Sequence, residues 1–496
     1  MLAIDVGSSS VRACVFDDRG EPVAGTASRR PHRFVIAAGG RVEADPEALV
    51  DLVMQCIDEC LQSPAAADRR IAAVAFATFL HGLIGTDRGG RALTPVITWA
   101  DSRSTEQSAW LGTRLDPEEI RQRTGCPLHP VYFPSKLLWI RENQPRVFND
   151  VDWWCSIGEY CLRRFTGRTS CSHSMASGSG LFNRRTGGWD GEMLAALGID
   201  DSRFSALGDL DSPVHGLLSP YAERWSVLRD SAWFPALGDG ACSNVGCGCA
   251  AADRIALMIG TTGALRTVRP AGDSPVPAGL WSYRLDRSRE MVGGVLGDGG
   301  NLFEWMSTTL GLGLPAREID EALLAAAPAG YGLSVLPFLT GERSMGWDPR
   351  ARGAVMGLRL ETTGLEILQA GVEAVAYRFA AIMRALRPAV PEAQEVIGTG
   401  GALRVSAAWG QILADVLEFP LSCSDEPEAS SRGAAVLALE ALGLITCAGS
   451  MRPRIGRVFF PRPGTAEPHR RAAREQERLR AALCGTPEWE ALDRVG

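Results

Sequence analysis

Short apolar runs separated by small and polar residues open the chain. "LAIDVG" and "VRACVFD" have strand character and are joined by a small-residue turn, after which "DDRGEPV" turns into a third strand. A helix follows, in which Asp45 can cap the N-terminus and Pro46 suits the first position. Apolar residues recur along it at helical spacing: Leu49, Leu52, Val53, Cys56, Ile57, Cys60 and Leu61. With the buried-strand run "IAAVAFA" behind it, this order predicts an α/β fold.

The second half of the chain begins with the same pattern. "IALMIGTTGALRTV" aligns with "LAIDVGSSSVRACV" so that Gly260 falls on Gly7, which indicates a duplicated domain. The two copies differ at one telling position, because Asp5 of the first corresponds to Met258 of the second. Only one copy therefore supplies a carboxylate beside its turn.

Three further helices are predicted downstream. Thr363 and Glu366 have the spacing of a capping box before a long amphipathic helix. Ser406 is placed to cap the helix that follows "VIGTGGALRV". "EASSRGAAVLALEALG" predicts a closing helix that Gly443 ends.

The length of the chain calls for more than one domain, since 496 residues exceed what a single core usually holds. The seam falls most naturally close to Asp239. We therefore expect an N-terminal domain over 1–239, a C-terminal domain over 240–446 and a tail over 447–496. The tail is rich in Arg and Pro and ends in a polar helix, which predicts a surface appendage.

The composition limits the classes of partner that the protein is expected to bind. The net charge of -7 and the absence of Lys/Arg-rich runs argue against nucleic acid, and the longest apolar stretch is too short for a membrane span. Thirteen scattered cysteines without a C-x-x-C pair, and a start without a leader-like segment, fit reduced thiols in a cytoplasmic protein. The expected partner is a small molecule, and a homodimer is one assembly that the sequence leaves open.

Three turns rich in Gly, Ser and Thr follow apolar strands: "DVGSSS" at 5–10, "IGTTG" at 259–263 and "GTGGA" at 398–402. Small residues there let backbone N–H groups approach an anion, and hydroxyls add donors. Two of the turns occupy duplicated positions and could grip the β and γ phosphates from both sides, while the third seats the nucleoside. There is no P-loop motif, and no G-x-G-x-x-G turn links the first strand to a helix.

Two carboxylates carry candidate chemistry. Asp5 adjoins the first turn and suits a hydrated Mg²⁺, although an aspartate there can also stabilise its own hairpin. Arg12 follows that turn on the next strand, where it could reach a phosphate. Asp239 stands between two glycines in "FPALGDGACSNVG". That stretch allows either a plain turn or a catalytic carboxylate on a thin, mobile backbone.

Taken together, these segments resemble the FGGY carbohydrate kinases, and within them the gluconokinase-like branch. The resemblance runs from Met1 to about Gly443 and includes "DVGSSSVRACVFD", "HGLIGTDRGGRALTPVITWADSRS", "GDGACSNVGCG", "IGTTGALR" and "LPFLTGERSMGWDPRARGAVMGL". One departure is Met345, where the family often has proline after "GERS". The resemblance implies two duplicated actin-like ATPase (ribonuclease H-like) domains around a central cleft.

The resemblance also implies roles for individual residues. Asp239 matches the catalytic base, and Asp5 matches the aspartate associated with Mg²⁺. The ATP positions are Gly7, Ser8, Ser9 and Arg12 in the first turn, Gly260 and Thr261 in the second, and Gly300, Gly401 and Ala402 at the nucleoside. The sugar-side positions are His81, Gly82, Trp99, Asp101 and Arg103.

The implied reaction is transfer of the γ-phosphate of ATP to a hydroxyl of a sugar or sugar acid, with Mg²⁺ as cofactor. D-Gluconate, giving 6-phosphogluconate, is the first choice. A pentulose such as xylulose is the alternative, and a nucleotide-driven interaction ATPase of the same fold is a third. The carboxylate of gluconate calls for an unpaired cation, for which Arg103 and Lys136, the only lysine of the chain, are the candidates.

Overall fold

The computed structural model describes residues 1–67, 69–484 and 486. The first half of the chain carries strands β1 Leu2–Val6, β2 Ser10–Val15, β3 Ser28–Pro31, β4 Val35–Ala37, β5 Arg41–Ala44, β6 Ala73–Thr78, β7 Ile84–Thr86, β8 Val96–Ile97, β9 Trp153–Cys155, β10 Cys171–Ser172, β11 Phe182–Asn183, β12 Gly188–Trp189, β13 Leu207–Gly208, β14 Val214–His215, β15 Ala232–Trp233 and β16 Leu237–Gly238. Its helices are α1 Pro46–Gln62, α2 Thr105–Arg114, α3 Pro117–Thr124, α4 Phe133–Asn143, α5 Pro145–Asp150, α6 Ile157–Thr166, α7 His173–Ser177, α8 Gly191–Leu197 and α9 Ser219–Arg224.

The second half follows without a break. Its strands are β17 Arg254–Ile259, β18 Gly263–Pro270, β19 Trp281–Arg284, β20 Arg289–Leu296, β21 Ser334–Leu336, β22 Ala354–Met356, β23 Glu395–Thr399, β24 Leu421–Ser424 and β25 Ile455–Phe459. Its helices are α10 Asp239–Gly246, α11 Gly300–Thr309, α12 Ala316–Ala325, α13 Gly364–Leu386, α14 Gly401–Val405, α15 Ala407–Leu417, α16 Ala429–Ala441 and α17 Ala466–Leu483.

Each half is built on a mixed sheet with the same central pairing. In the first sheet the order is β14-β15-β6-β1-β2-β3, and β1 pairs antiparallel with β2 and parallel with β6. In the second the order is β19-β20-β18-β17-β23-β24-β25, and β17 pairs antiparallel with β18 and parallel with β23. The predicted duplication is thus confirmed. Asp5 and Met258 lie at equivalent places in β1 and β17, each two residues before the glycine of the following turn.

The predicted helix caps are present. Asp45 Oδ1 accepts hydrogen bonds from the first backbone N–H groups of α1. Thr363 and Glu366 form a complete capping box at the start of α13, and the Ser406 hydroxyl caps α15. Helix α16 ends at Ala441, followed by Gly443 in the left-handed region at φ 70°. These ends follow from local side-chain chemistry, which is why the sequence predicts them.

The segment after residue 446 departs from expectation. Strand β25 pairs antiparallel with β24 and so extends the second sheet. Gln476 of α17 is buried and donates hydrogen bonds to Val335 O at 2.9 Å and Ala374 O at 3.0 Å. The prediction of a surface appendage is therefore wrong. Helix α17 keeps an exposed, Arg-rich face, while its opposite face, with His469, Gln476 and Leu479, is buried on the second domain.

Helix α10 follows directly from β16, which pairs with β6 of the first sheet, and it crosses α16 of the second half. An apolar core shared by both halves surrounds this crossing and includes residues of β1, β6, β18 and β20. A Cβ added to Gly246 would overlap Ala429 O, and one added to Gly433 would overlap Cys242 O. The helices therefore touch backbone to backbone, which holds the N-terminal end of α10, and with it Asp239, in a set place between the domains.

All thirteen cysteines lie within the described residues, as free thiols, and eleven of them are buried. Within the same residues, no helix combines the length and apolarity that a membrane crossing requires.

Candidate active site

Two cavities hold most of the predicted positions, one between the two domains and one within the C-terminal half. One of about 480 Å³ is lined by Asp239 and by the predicted residues Ser8, Arg12, His81 and Trp99. The other, of about 300 Å³, is lined by the predicted residues Gly260, Thr261, Gly300, Gly401 and Ala402. The cavities meet where Thr262 and Gly400, which line the first, adjoin Thr261 and Gly401, which line the second. The fold therefore brings most of the predicted positions into one cleft.

Asp239 lies where β16 passes into α10, and it is the first residue of that helix. The expected mobile turn is thus a strand-to-helix junction instead, and Gly238 allows close packing against Leu80 rather than supplying flexibility. Asp239 Oδ1 accepts a hydrogen bond from Gly240 N at 2.7 Å. Burial raises the pKa of Asp239 to about 6, while the Gly240 N–H and the nearby Arg266 charge pull that pKa down. At neutral pH the carboxylate is ionised and able to accept a proton.

Asp5 is buried in β1, and the register of the sheet sets it opposite Arg12. Its Oδ2 accepts a hydrogen bond from Arg12 Nη1 at 3.3 Å, while its Oδ1 is buried and has no hydrogen-bond partner among the described residues. Burial raises the pKa of Asp5 to about 7, and the charges of Asp239 and Glu428 add to that rise against the lowering effect of Arg12.

The free Oδ1 of Asp5 fits a hydrated cation. Mg²⁺ usually takes one or two protein carboxylates and completes its shell with water and substrate phosphate. In the described part of the chain no three His, Cys, Asp or Glu side chains form a metal-binding group. A cation at Asp5 would consequently depend on water and phosphate for its remaining ligands.

The first turn is tied to the sugar side of the cleft. Ser8 Oγ accepts a hydrogen bond from Trp99 Nε1 at 2.9 Å, and Gly7 N donates to Ser10 O at 3.0 Å. Ser9 is exposed at the tip of the turn. Arg12 Nη1 also bonds Glu428 at 3.2 Å, immediately before α16, so this cation joins the two halves.

The second turn packs backbone to backbone against the start of α11. Gly300 N donates to Gly260 O at 2.7 Å, and a Cβ on Gly300 would lie only 2.6 Å from that oxygen. Glycine is thus required by close approach rather than by an unusual φ. Phe303 and Trp409 complete the cavity with aromatic surface. Backbone donors beside aromatic rings suit a nucleoside with its phosphates.

His81 ends the strand-like run after β6 in the left-handed conformation, at φ 66°. Its Nδ1–H donates to Gly178 O at 2.6 Å. Burial, assisted by the positive charge of Lys136, lowers the pKa of His81 to about 3, so the ring is neutral. Because Nδ1 carries the proton, Nε2 is an acceptor, which suits a hydrogen bond from a substrate hydroxyl.

Four predicted sugar-side residues lie outside the lining of the cleft. Gly82 is buried behind Phe79. Arg103 Nε donates to both oxygens of Asp101 at 2.9 and 3.0 Å, and its Nη2 bonds Asp101 and Glu43. The side chain of Arg103 is only 4% exposed, and the two carboxylates offset its charge. Arg103 is therefore not the unpaired cation that the sequence led us to expect.

Lys136 is not an unpaired cation at the substrate either. Its Nζ donates to His81 O at 2.6 Å, Thr98 O at 2.9 Å and Ile97 O at 3.3 Å, and burial lowers its pKa to about 7. These bonds hold the backbone that carries both His81 and Trp99. Three converging carbonyls suit a compact ammonium, which accounts for a lysine at this place in an Arg-rich chain.

Sequence reasoning missed three residues that line the same cavity: Arg266 on β18, Tyr283 on β19 and Arg343 between β21 and β22. The hydroxyls of Tyr283 and Tyr132 lie 2.6 Å apart, joining the two halves beside His81. Nothing in the linear pattern shows that these strands turn those side chains into the cleft. The "GERS" stretch, already part of the resemblance, was the one signal pointing at Arg343.

Two duplicated α/β domains around a glycine-lined cleft define a two-domain protein of the actin-like ATPase class. The comparisons identify the family. The model of the FGGY family of carbohydrate kinases, N-terminal domain, matches residues 1–246, and that of the C-terminal domain matches residues 256–442. The chain belongs to the FGGY family of carbohydrate kinases, which are phosphotransferases acting on an alcohol group.

The sequence identity between this chain and individual relatives is low. The gluconokinase of Bacillus subtilis is 26% identical over 475 residues, which cover 93% of this chain and 91% of that protein. The crystal structures of a ligand-bound xylulose kinase and of a gluconate kinase, both from Lactobacillus acidophilus, superpose with TM-scores of 0.91 and 0.90. Each is 27% identical and covers 98% of both chains. Family membership implies ATP as phosphoryl donor and a small sugar-like acceptor.

Proposed function

We propose that this chain transfers the γ-phosphate of ATP to the primary C6 hydroxyl of D-gluconate, giving 6-phosphogluconate, with Asp239 as the general base. The observation that carries the proposal is the position of Asp239. It lines the same cavity as the neutral acceptor His81 and as Thr262 and Gly400, which belong to the second and third glycine turns.

The side chains have distinct roles in this reaction. Ionised Asp239 accepts the proton of the attacking hydroxyl, and His81 Nε2 accepts a hydrogen bond from a second hydroxyl and so orients the sugar. The turns at Ser8 and Gly260 donate hydrogen bonds to phosphate oxygens. Mg²⁺ held through water at Asp5 would offset the charge of the phosphates. General-base assistance of this kind contributes about 10² to 10⁴ in rate.

Xylulose is the second candidate acceptor, because the xylulose kinase structure resembles this chain as closely as the gluconate kinase structure does. Coupled ADP release against aldonates, pentuloses, polyols and hexoses separates the two. We expect the highest kcat/KM with D-gluconate. A higher value with D-xylulose would replace gluconate by the pentulose and leave the role of Asp239 unchanged.

Asp239→Asn tests the catalytic assignment. Loss of the proton acceptor is expected to lower gluconate-dependent ADP release by about 10² to 10⁴ while ATP still binds. Steady-state kinetics and calorimetric titration with ATP measure the two effects. Asp116→Asn is the matched control, because Asp116 is an exposed cap of α3 away from the cleft, and it should turn over as wild type. Normal turnover by Asp239→Asn contradicts the assignment.

A further inference from the structure

A sugar acid brings a negative charge into the cavity that Asp239 already lines. Removing a carboxylate from water is costly unless a cation meets it. Arg103 and Lys136, which the sequence offered for this task, are held by their own partners. The arginines that do line the cavity are Arg12, Arg266 and Arg343.

Two of these arginines already have tasks beside the reacting groups. Arg12 is bonded to Asp5 and Glu428 at the first turn. Arg266 is buried near Asp239, where its charge opposes the rise in the pKa of that carboxyl. Both cations therefore act on carboxylates of the protein at the catalytic and phosphate side of the cavity.

Arg343 has a different environment. Its guanidinium carbon lies 5.1 Å from the centre of the Trp99 ring, on the sugar side. Among the described residues, no carboxylate forms an ion pair or hydrogen bond with this guanidinium. Its charge acts on His81, His129, Tyr132 and Tyr283, and all four are neutral at pH 7 because burial moves each pKa away from ionisation. The one carboxylate that acts on it, Asp298, forms no ion pair with it, and Asn301 and Thr340 donate hydrogen bonds to that carboxylate.

The planar edge of a guanidinium matches a carboxylate with two parallel hydrogen bonds. A neutral polyol would leave this guanidinium without a bonded counter-ion. Resting on the function proposed above, we propose that Arg343 determines specificity by binding the carboxylate of a sugar acid whose far hydroxyl reacts at Asp239. Trp99, itself bonded to Ser8, fixes the guanidinium against the first turn.

The test pairs one change in the protein with one change in the substrate. D-Gluconate and D-glucitol share a carbon chain and differ by a carboxylate in place of an alcohol. In Arg343→Met, kcat/KM for gluconate should fall about 10- to 100-fold, the loss expected for hydrogen bonds to a charged group, and mainly through KM. Values for glucitol and D-xylulose should change less than about threefold, because neither offers a charge to the lost cation.

Two further variants make the result specific. Arg343→Lys keeps the charge without the paired donors and should lie between wild type and Arg343→Met. Arg384→Met removes an exposed arginine of α13 and should leave every substrate unchanged. Unfolding midpoints and ATP affinity verify that the variants fold. If Arg343→Met does not fold, the comparison rests on Arg343→Lys and Arg343→Gln.

Each other outcome has its own meaning. An equal loss on gluconate, glucitol and xylulose overturns the assignment and makes Arg343 a general positioning residue acting through Trp99. A wild type active on gluconate with Arg343→Met unchanged removes the role of Arg343 and leaves the proposed function standing. A wild type that phosphorylates xylulose and no sugar acid overturns both.

Discussion

Single residues decide the chemistry here through burial rather than through unusual side chains. Asp239 and Asp5 are ordinary aspartates whose pKa values rise to about 6 and about 7 because the fold removes them from water. His81 moves in the opposite direction, to about 3, by the same cause. The cleft thus holds a weakly acidic base beside a ring that stays neutral, a combination suited to moving a hydroxyl proton near pH 7.

The rate should depend on pH in a direction that these values set. Asp239 accepts a proton only when ionised, so kcat/KM for the sugar should rise with pH through about 6 and level off above it. Arg266 lowers the pKa of Asp239, and Arg266→Met should therefore move the acidic limb to higher pH. Initial rates across the acidic range measure both limbs, with Arg384→Met as control. If the acidic limb of Arg266→Met stays at the wild-type pH or moves to lower pH, the proposed effect of Arg266 on the pKa of Asp239 is contradicted.

Among the elements, the crossing of α10 and α16 matters most for the site, because it sets the place of Asp239. Gly433 meets Cys242 O with no room for a Cβ. Gly433→Ala should lower the free energy of unfolding by about 1 to 3 kcal/mol, as overpacking does, and displace the N-terminal end of α10. Denaturant unfolding and kcat measure the two effects.

Gly191→Ala is the control for this change, since Gly191 begins α8 with open space around it. There the added methyl should be neutral or slightly stabilising. If both variants are equally stable, α10 and α16 can move apart at no cost. That result would contradict the claim that their close contact requires glycine at position 433.

At the scale of the whole molecule, buried charges also join the two halves. Glu290 on β20 is fully buried and accepts from Arg184 Nη2 at 2.8 Å and from Arg269 Nε at 2.8 Å. Glu290→Gln leaves two buried guanidinium groups without their counter-ion and should lower the free energy of unfolding by about 3 to 5 kcal/mol. Thermal and denaturant unfolding measure the loss.

Glu321→Gln breaks an exposed pair with Arg317 and should change stability by less than about 1 kcal/mol. A similar small effect at Glu290 would mean that water reaches the domain junction.

Much of the fold of this protein can be predicted from its amino-acid sequence. The α/β class, the duplication, the helix caps and the glycine turns depend on short-range patterns, because strand alternation, caps and turns are decided by neighbours a few residues apart. The absence of a counterpart to Asp5 at Met258 likewise needs only the alignment of two short segments. The resemblance then directed attention to Asp239.

Only the folded chain could decide which cations line the cleft. Arg103 and Lys136 lie in the right segments, yet Asp101, Glu43 and three carbonyls engage them, and the tail joins the second sheet instead of standing apart. Arg343 reaches Trp99 from a distant part of the chain. Such pairings depend on how sheets and helices cross, and a charge becomes available or neutralised only when those crossings are formed.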